Sequence, residues 1–136
     1  RLICSTDIYG LKILRRDFPN IDIETVPGIS SFNAAASAVN LSLVEGNEKM
    51  AVVPVTSNLE DLKGPLKEFD TIILMKVGSK LRGVVSLLRE LGMIKNSILV
   101  SRVGHKDEKI FCNLEGLRSK RAGYLSVIIV RKNHIL

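Results

Sequence analysis

Two hydroxyl residues, Ser30 and Ser31, follow a Pro27-Gly28 pair and stand at the head of an alanine-rich run, Ala34-Ala35-Ala36-Ser37-Ala38. Proline donates no ladder hydrogen bond and glycine permits a sharp reversal, so the pair ends any strand before it. A serine in this place can accept from the first N–H groups of a helix, which lack partners of their own. The same N–H groups favour an anionic or polar ligand group, and small side chains leave room for close approach. An ordinary, well-capped strand-turn-helix junction has the same pattern. Met75 is the second candidate, in Leu74-Met75-Lys76-Val77-Gly78 at the end of an apolar run, where α/β folds bind ligands. A core methionine would read identically. Acid–base and nucleophilic chemistry find less support. There is neither a Ser-His-Asp order with a nucleophile elbow nor a lysine-containing phosphate loop. His105 sits in a polar turn without an evident partner, and Glu60, Asp61, Glu68 and Asp70 read as solvated charges. Cys4 and Cys112 are far apart and, with His105 and His134 the only histidines, give no metal spacing. Free, mostly buried thiols are expected.

The elements that must position these residues alternate along the chain. A helix is expected over 6–18, with Ser5 or Thr6 as cap and Ile8, Leu11, Leu14 and Phe18 on one face. Pro19-Asn20 ends it. A strand over 21–26 and a helix over 30–40 follow, with Asn40 as a left-handed stop. Residues 49–55 read as a buried strand. Ser57-Asn58-Leu59-Glu60 matches a capping box opening a short helix that Gly64-Pro65 should interrupt. Thr71 to Val77 should be a central strand. Ser79 then caps an amphipathic helix carrying Leu81, Val84, Val85, Leu88 and Leu91, with Gly92 as terminator. Strands are expected over 97–103, 109–112 and 124–131, with a turn at 104–107 and one helical turn over 114–119. About five strands interleaved with about four helices predict an α/β fold with a mixed sheet, mixed because of the hairpin around Gly104.

A chain of 136 residues is one domain's worth, and no apolar run approaches the roughly 20 residues that span a bilayer. No signal-peptide pattern opens it, and a start at Arg1 reads as a piece of something longer. Charge is uneven: residues 1–75 carry 7 Lys and Arg against 10 Asp and Glu, and residues 76–136 carry 13 against 4. A basic second half suits a polycarboxylated or phosphorylated small molecule, or nucleic acid. With aromatics at 4% and no tryptophan, stacking platforms are scarce and a nucleic-acid partner is not expected.

Taken together, Cys4-Ser5-Thr6, Ile23 to Phe32, Lys49-Met50-Ala51-Val52-Val53-Pro54, Leu74 to Gly78, Ser101-Arg102-Val103-Gly104 and Leu125 to Val130 resemble the tetrapyrrole methylases. The likeness is greatest to the branch that methylates carbon 20 of precorrin-2 or cobalt-factor II in cobalamin synthesis. The resemblance implies the α/β C-terminal domain of a two-domain, S-adenosylmethionine-dependent methyltransferase. Residues 1–20 would be the end of the interdomain segment with a first helix, and 21–136 the C-terminal domain. The N-terminal domain and its glycine-proline-glycine-aspartate loop are not in the chain. About half of a cleft between domains would then be present, and the chain alone is expected to be inactive. The resemblance places Ser5, Thr6, Ser30, Ser31 and Met75 beside the methyl donor. Val103, Gly104, Leu125 and Ser126 would line its adenosine end through backbone atoms. It further implies a tetrapyrrole substrate, a cytoplasmic homodimer, no membrane partner and no protein-bound metal; no catalytic base is named. Other tetrapyrrole methylases, a diphthine synthase, or a non-catalytic dimerisation or basic binding module are the alternatives.

Overall fold

The computed structural model describes residues 7–115, 117 and 123–133. The chain forms two compact units, residues 1–30 and 31–136. In the first, helix α1 spans Asp7–Asp17 and ends in a turn closed by Ile21 N–H donating to the Phe18 carbonyl (3.1 Å). The strand expected over 21–26 is absent: residues 21–30 carry neither strand nor helix, and Ile21, Val26 and Ile29 are exposed. Alternating polarity gave this segment a face to bury, but a strand also needs a neighbour for its N–H and C=O groups. Among the described residues it has none.

The second unit is a five-stranded mixed sheet of order β1-β2-β5-β3-β4, with β1 Met50–Pro54, β2 Thr71–Met75, β3 Ser97–Ser101, β4 Lys109–Phe111 and β5 Ser126–Arg131. Strand β1 runs parallel to β2. Strand β5 is inserted between β2 and β3, antiparallel to both, and β4 returns antiparallel on β3. Strands β1, β2 and β3 therefore finish at one edge of the sheet, where β5 begins. The expected hairpin around Gly104 is present, but the antiparallel insertion of β5 mixes the sheet as well.

Side chains alternate between two apolar layers. Ile72, Leu74, Leu99, Ile128 and Val130 meet helix α4 (Leu81–Glu90) and helix α3 (Lys63–Glu68), with Leu62 and Leu114. Ile73, Ile98, Val100, Val127 and Ile129 meet helix α2 (Ser31–Ala38) through Phe32, Ala35 and Ala36. Each fully buried Leu or Ile contributes about 1.5–3 kcal/mol of transfer free energy. Gly83 of α4 is what lets the Leu59 side chain lie against that helix, since a Cβ there would collide with it.

Both long helices of this unit end as expected. Asn40 has φ 51°, Leu41 N–H reaches the Ala36 carbonyl (2.9 Å) and Asn40 N–H the Ser37 carbonyl (3.1 Å). Gly92 (φ 69°) closes α4 with the same pair of bonds, from Met93 and from itself. Other expectations are corrected. Strand β1 lies at the sheet's edge and is only half-buried. Gly64-Pro65 does not interrupt a helix: it lies in the first turn of α3, where proline's missing N–H costs nothing. The cap before it is Asn58, whose side chain accepts from Glu60 N–H, rather than Ser57. Ser79 caps nothing, because it sits inside a 3-10 turn, Gly78–Lys80, that precedes α4. Cys112 is exposed, since β4 is an edge strand ending just before it; Cys4 lies outside the described residues. The turn expected over 114–119 falls partly outside them, although Leu117 N–H donates to the Leu114 carbonyl (3.2 Å). No helix of the described residues is long and apolar enough to cross a membrane.

Candidate functional site at the carboxyl edge of the sheet

Where β2 and β3 end, the backbone turns left-handed twice on residues that are not glycine. Lys76 has φ 58° and Arg102 φ 55°. A Cβ makes that conformation unfavourable by about 1–2 kcal/mol, so it persists only where the surroundings impose it. At Lys76 the strand gives way to the 3-10 turn, and Val55 N–H still reaches the Met75 carbonyl (2.8 Å). At Arg102 the N–H donates to the Leu125 carbonyl (2.7 Å), joining the exit of β3 to the entry of β5.

The candidate residues gather here in part. Ser31 opens α2, and its hydroxyl lies 4.0 Å from the Met75 thioether sulfur. Met75 and Val103 are half-buried against the same apolar layer, on the face that α2 covers. Ser126 is at the same edge but on the other face: its hydroxyl donates to Ser101 Oγ (3.0 Å), and both residues are buried. Register explains this, because Ser101 pairs with Ser126 while Val100 and Val127 point toward α2. Only the Ser126 backbone is thus available to the α2 face. Leu125 and Tyr124 stand exposed beside it. Ser30 belongs to the first unit, and Ser5 and Thr6 lie outside the described residues.

The turn after β3 is held by two carboxylates. Arg102 Nε contacts Asp107 (2.6 Å), and Glu108 Oε2 accepts from Gly104 N–H (2.7 Å). The Arg102 guanidinium, hydrogen-bonded to Asp107, holds that carboxyl below the usual carboxylate range. With Gly104 N–H and the Leu125 carbonyl engaged inside the chain, the Val103 backbone and the Gly104 carbonyl are the groups left to meet a ligand. His105 takes part in this turn through its backbone, its N–H reaching the Arg102 carbonyl (3.0 Å).

Sequence reasoning missed Lys76, Arg102 and Tyr124. The two left-handed residues leave no sequence signal, whereas Tyr124 could have been noticed as an aromatic beside Gly123 in a chain with few aromatics. A wide, shallow concavity lies elsewhere, on α2 and the segment after it, lined by Asn33, Ser37, Asn40 and Leu41 among others. None of the candidate residues lines it. No group of three or more His, Cys, Asp or Glu side chains suited to a metal occurs among the described residues.

The sequence pattern of the family described as Tetrapyrrole (Corrin/Porphyrin) Methylases matches residues 2–118. A probable cobalt-precorrin-2 C(20)-methyltransferase of Methanocaldococcus jannaschii is 36% identical over 94% of the chain and 54% of its own length. The cobalt-precorrin-2 C(20)-methyltransferase of Salmonella typhimurium is 27% identical over 81% of the chain and 47% of its own. The chain thus spans about half the length of these curated relatives. Among solved structures, a cobalt precorrin-4 methyltransferase superposes with a TM-score of 0.68 at 22% identity, over 93% of the chain and 58% of that protein. A uroporphyrin-III C-methyl transferase of Thermus thermophilus, complexed with S-adenosyl homocysteine, gives 0.62 at 20% identity over 93% and 58%. These structures share the fold, and with the family pattern covering most of its length the chain belongs to the tetrapyrrole methylase family.

Proposed function

We propose that this chain is the C-terminal domain of an S-adenosylmethionine-dependent methyltransferase acting on carbon 20 of precorrin-2 or its cobalt form in cobalamin biosynthesis. The observation that carries the reading is the 36% identity, along 94% of the chain, to a relative named for that reaction. The site supports it. Met75 and Val103 offer an apolar wall, the Ser31 hydroxyl has only a weak thioether contact to give up, and left-handed turns at Lys76 and Arg102 flank the wall. An adenosyl sulfonium needs such an apolar slot with a few polar handles, so the residues fit the group.

Bound there, the donor would supply both the methyl group and its own leaving group. The residues of this chain then have to position rather than protonate. Ser31 would orient the donor by its hydroxyl, Met75 and Val103 would exclude water from its apolar side, and the Val103 backbone and Gly104 carbonyl would meet the adenine. Ser5, Thr6 and Ser30 complete the proposed contacts, with Leu125 and Ser126 contributing backbone. Alignment of two bound reactants can lower a barrier by about 7–11 kcal/mol in the best cases, which makes a triad unnecessary. Residues 1–20 are read as the end of the segment that precedes the domain. The family likeness is also the support for a cytoplasmic enzyme acting as a homodimer, which light scattering of the purified protein checks.

The test is a chimera. The matching segment of the Methanocaldococcus relative is replaced by this chain, and methyl transfer to precorrin-2 from labelled S-adenosylmethionine is followed. Singly methylated product is expected; its absence beside an active parent would contradict the proposal.

A further inference from the structure

Among the described residues, three other than glycine have a left-handed backbone: Asn40, Lys76 and Arg102. Two have local explanations. Asparagine tolerates the conformation, and at Asn40 it closes α2 with two backbone bonds. Arg102 uses its side chain, whose Nε is paired with Asp107 at 2.6 Å. Lys76 has neither. It is exposed, and among the described residues its ammonium makes no hydrogen bond or ion pair. Its neighbour at the next turn position, Lys80, is by contrast tied to the Val55 carbonyl (2.8 Å). Glycine would hold this backbone without penalty, as Gly78 does two residues later. Lysine thus stands where glycine would carry the backbone without penalty, exposed and with its ammonium unpaired among the described residues, and that ammonium is left to a partner that arrives from outside.

We infer that Lys76 is a substrate-binding residue, its ammonium receiving a peripheral carboxylate of the tetrapyrrole; this rests on the methyltransferase reading above. Lys76 follows Met75, which that reading sets against the methyl donor, and the acceptor carbon must come within bonding distance of the donated methyl group. The macrocycle edge is thereby brought to this sheet edge, with its carboxylates around it. A left-handed residue carries its side chain away from the strand's regular up-and-down alternation, out of both apolar layers. Lysine suits a flexible carboxylate, since an ammonium on a four-carbon stem accepts many approach directions.

The experiment titrates the full chain with uroporphyrin, a fluorescent polycarboxylated tetrapyrrole, and with S-adenosylhomocysteine. Lys76→Gln is expected to weaken uroporphyrin binding about fivefold, the effect of one partly exposed ion pair, and to flatten its salt dependence. Lys76→Arg should restore it, and S-adenosylhomocysteine affinity should change much less than uroporphyrin affinity in every variant. Lys76→Gly should weaken uroporphyrin binding equally while raising the melting temperature, which separates the cation from the backbone. Equal uroporphyrin affinity in Lys76→Gln, absence of uroporphyrin binding by the unaltered chain, or loss of both ligands together would overturn the inference. Because no turnover is read, an inactive chimera speaks against the methyltransferase reading and an unchanged Lys76→Gln affinity against the role of Lys76.

Discussion

The end of the sheet where β1, β2 and β3 begin is bolted down, whereas the end where they finish is turned sharply and left open. At the first, Arg131 is buried and its guanidinium donates to the Ser42 carbonyl (2.6 Å) and to Glu45 (3.0 Å) and Glu48 (3.1 Å). Asp70 accepts from Lys49 N–H (2.8 Å), and Asn96 donates to the carbonyls of Arg131 (3.2 Å) and Lys132 (3.1 Å). Two buried polar atoms there, Thr71 Oγ1 and Arg131 Nε, lack a partner among the described residues, and they belong to cross-strand neighbours. At the finishing end stand left-handed Lys76 and Arg102, exposed Leu125 and Tyr124, and a hydroxyl resting against a thioether. Polar groups satisfied inside the chain add stability but have nothing to offer a ligand. The difference suits the first end to holding the sheet together and leaves the second as the edge at which binding is proposed.

Substitutions should separate the two ends. Arg131→Ala removes the guanidinium from the Ser42 carbonyl, Glu45 and Glu48, leaving Glu48 only the Glu45 N–H (2.9 Å), and should cost about 3 kcal/mol in urea denaturation while leaving the methyl-donor contacts intact. Met75→Ala should do the reverse: a roughly tenfold loss of S-adenosylhomocysteine affinity in the chimera, measured by calorimetry, with a smaller loss of stability than Arg131→Ala. An equal stability loss from both would erase the distinction.

Acid should loosen the open end at the turn after β3. The Asp107 carboxyl is held low by Arg102, so the stabilisation is complete above the unfolded carboxylate pKa and disappears as pH falls through the depressed folded value. Amide exchange at His105, whose N–H is held by the Arg102 carbonyl, should therefore quicken relative to the sheet interior in that acidic window, and Asp107→Asn should remove the dependence. The smallest effect is expected at Asn40. Asn40→Gly should change stability by only a few tenths of a kcal/mol, because glycine also accepts the left-handed stop, as thermal melting will show.

Local signals were legible in the sequence. Asn40 and Gly92 stop their helices because left-handed caps depend on residues within one turn. The strands β2, β3 and β5 announced themselves by unbroken apolar runs. What depends on distant partners was not legible. Residues 21–26 alternate like a strand but have no ladder among the described residues, and the place of β5 between β2 and β3 is a long-range choice. The site divided along the same line. Met75 stands out by its position at a strand end and Ser31 by the turn before it, and the fold brings the two within 4.0 Å. The face taken by the Ser126 hydroxyl follows from register with Ser101, and the backbone of Lys76 follows from how β2 is released into the next turn.

Hydrogen–deuterium exchange of the chimera with and without S-adenosylhomocysteine tests most directly whether the finishing end of the sheet binds the donor. Protection is expected at residues 75–77 and 101–104 and at the entry of β5, with no change around Glu48, Arg131 and the outer side of α2. Protection confined to Asn33, Ser37 and Asn40 or to the Arg131 end, with the finishing edge unaffected, would contradict the account.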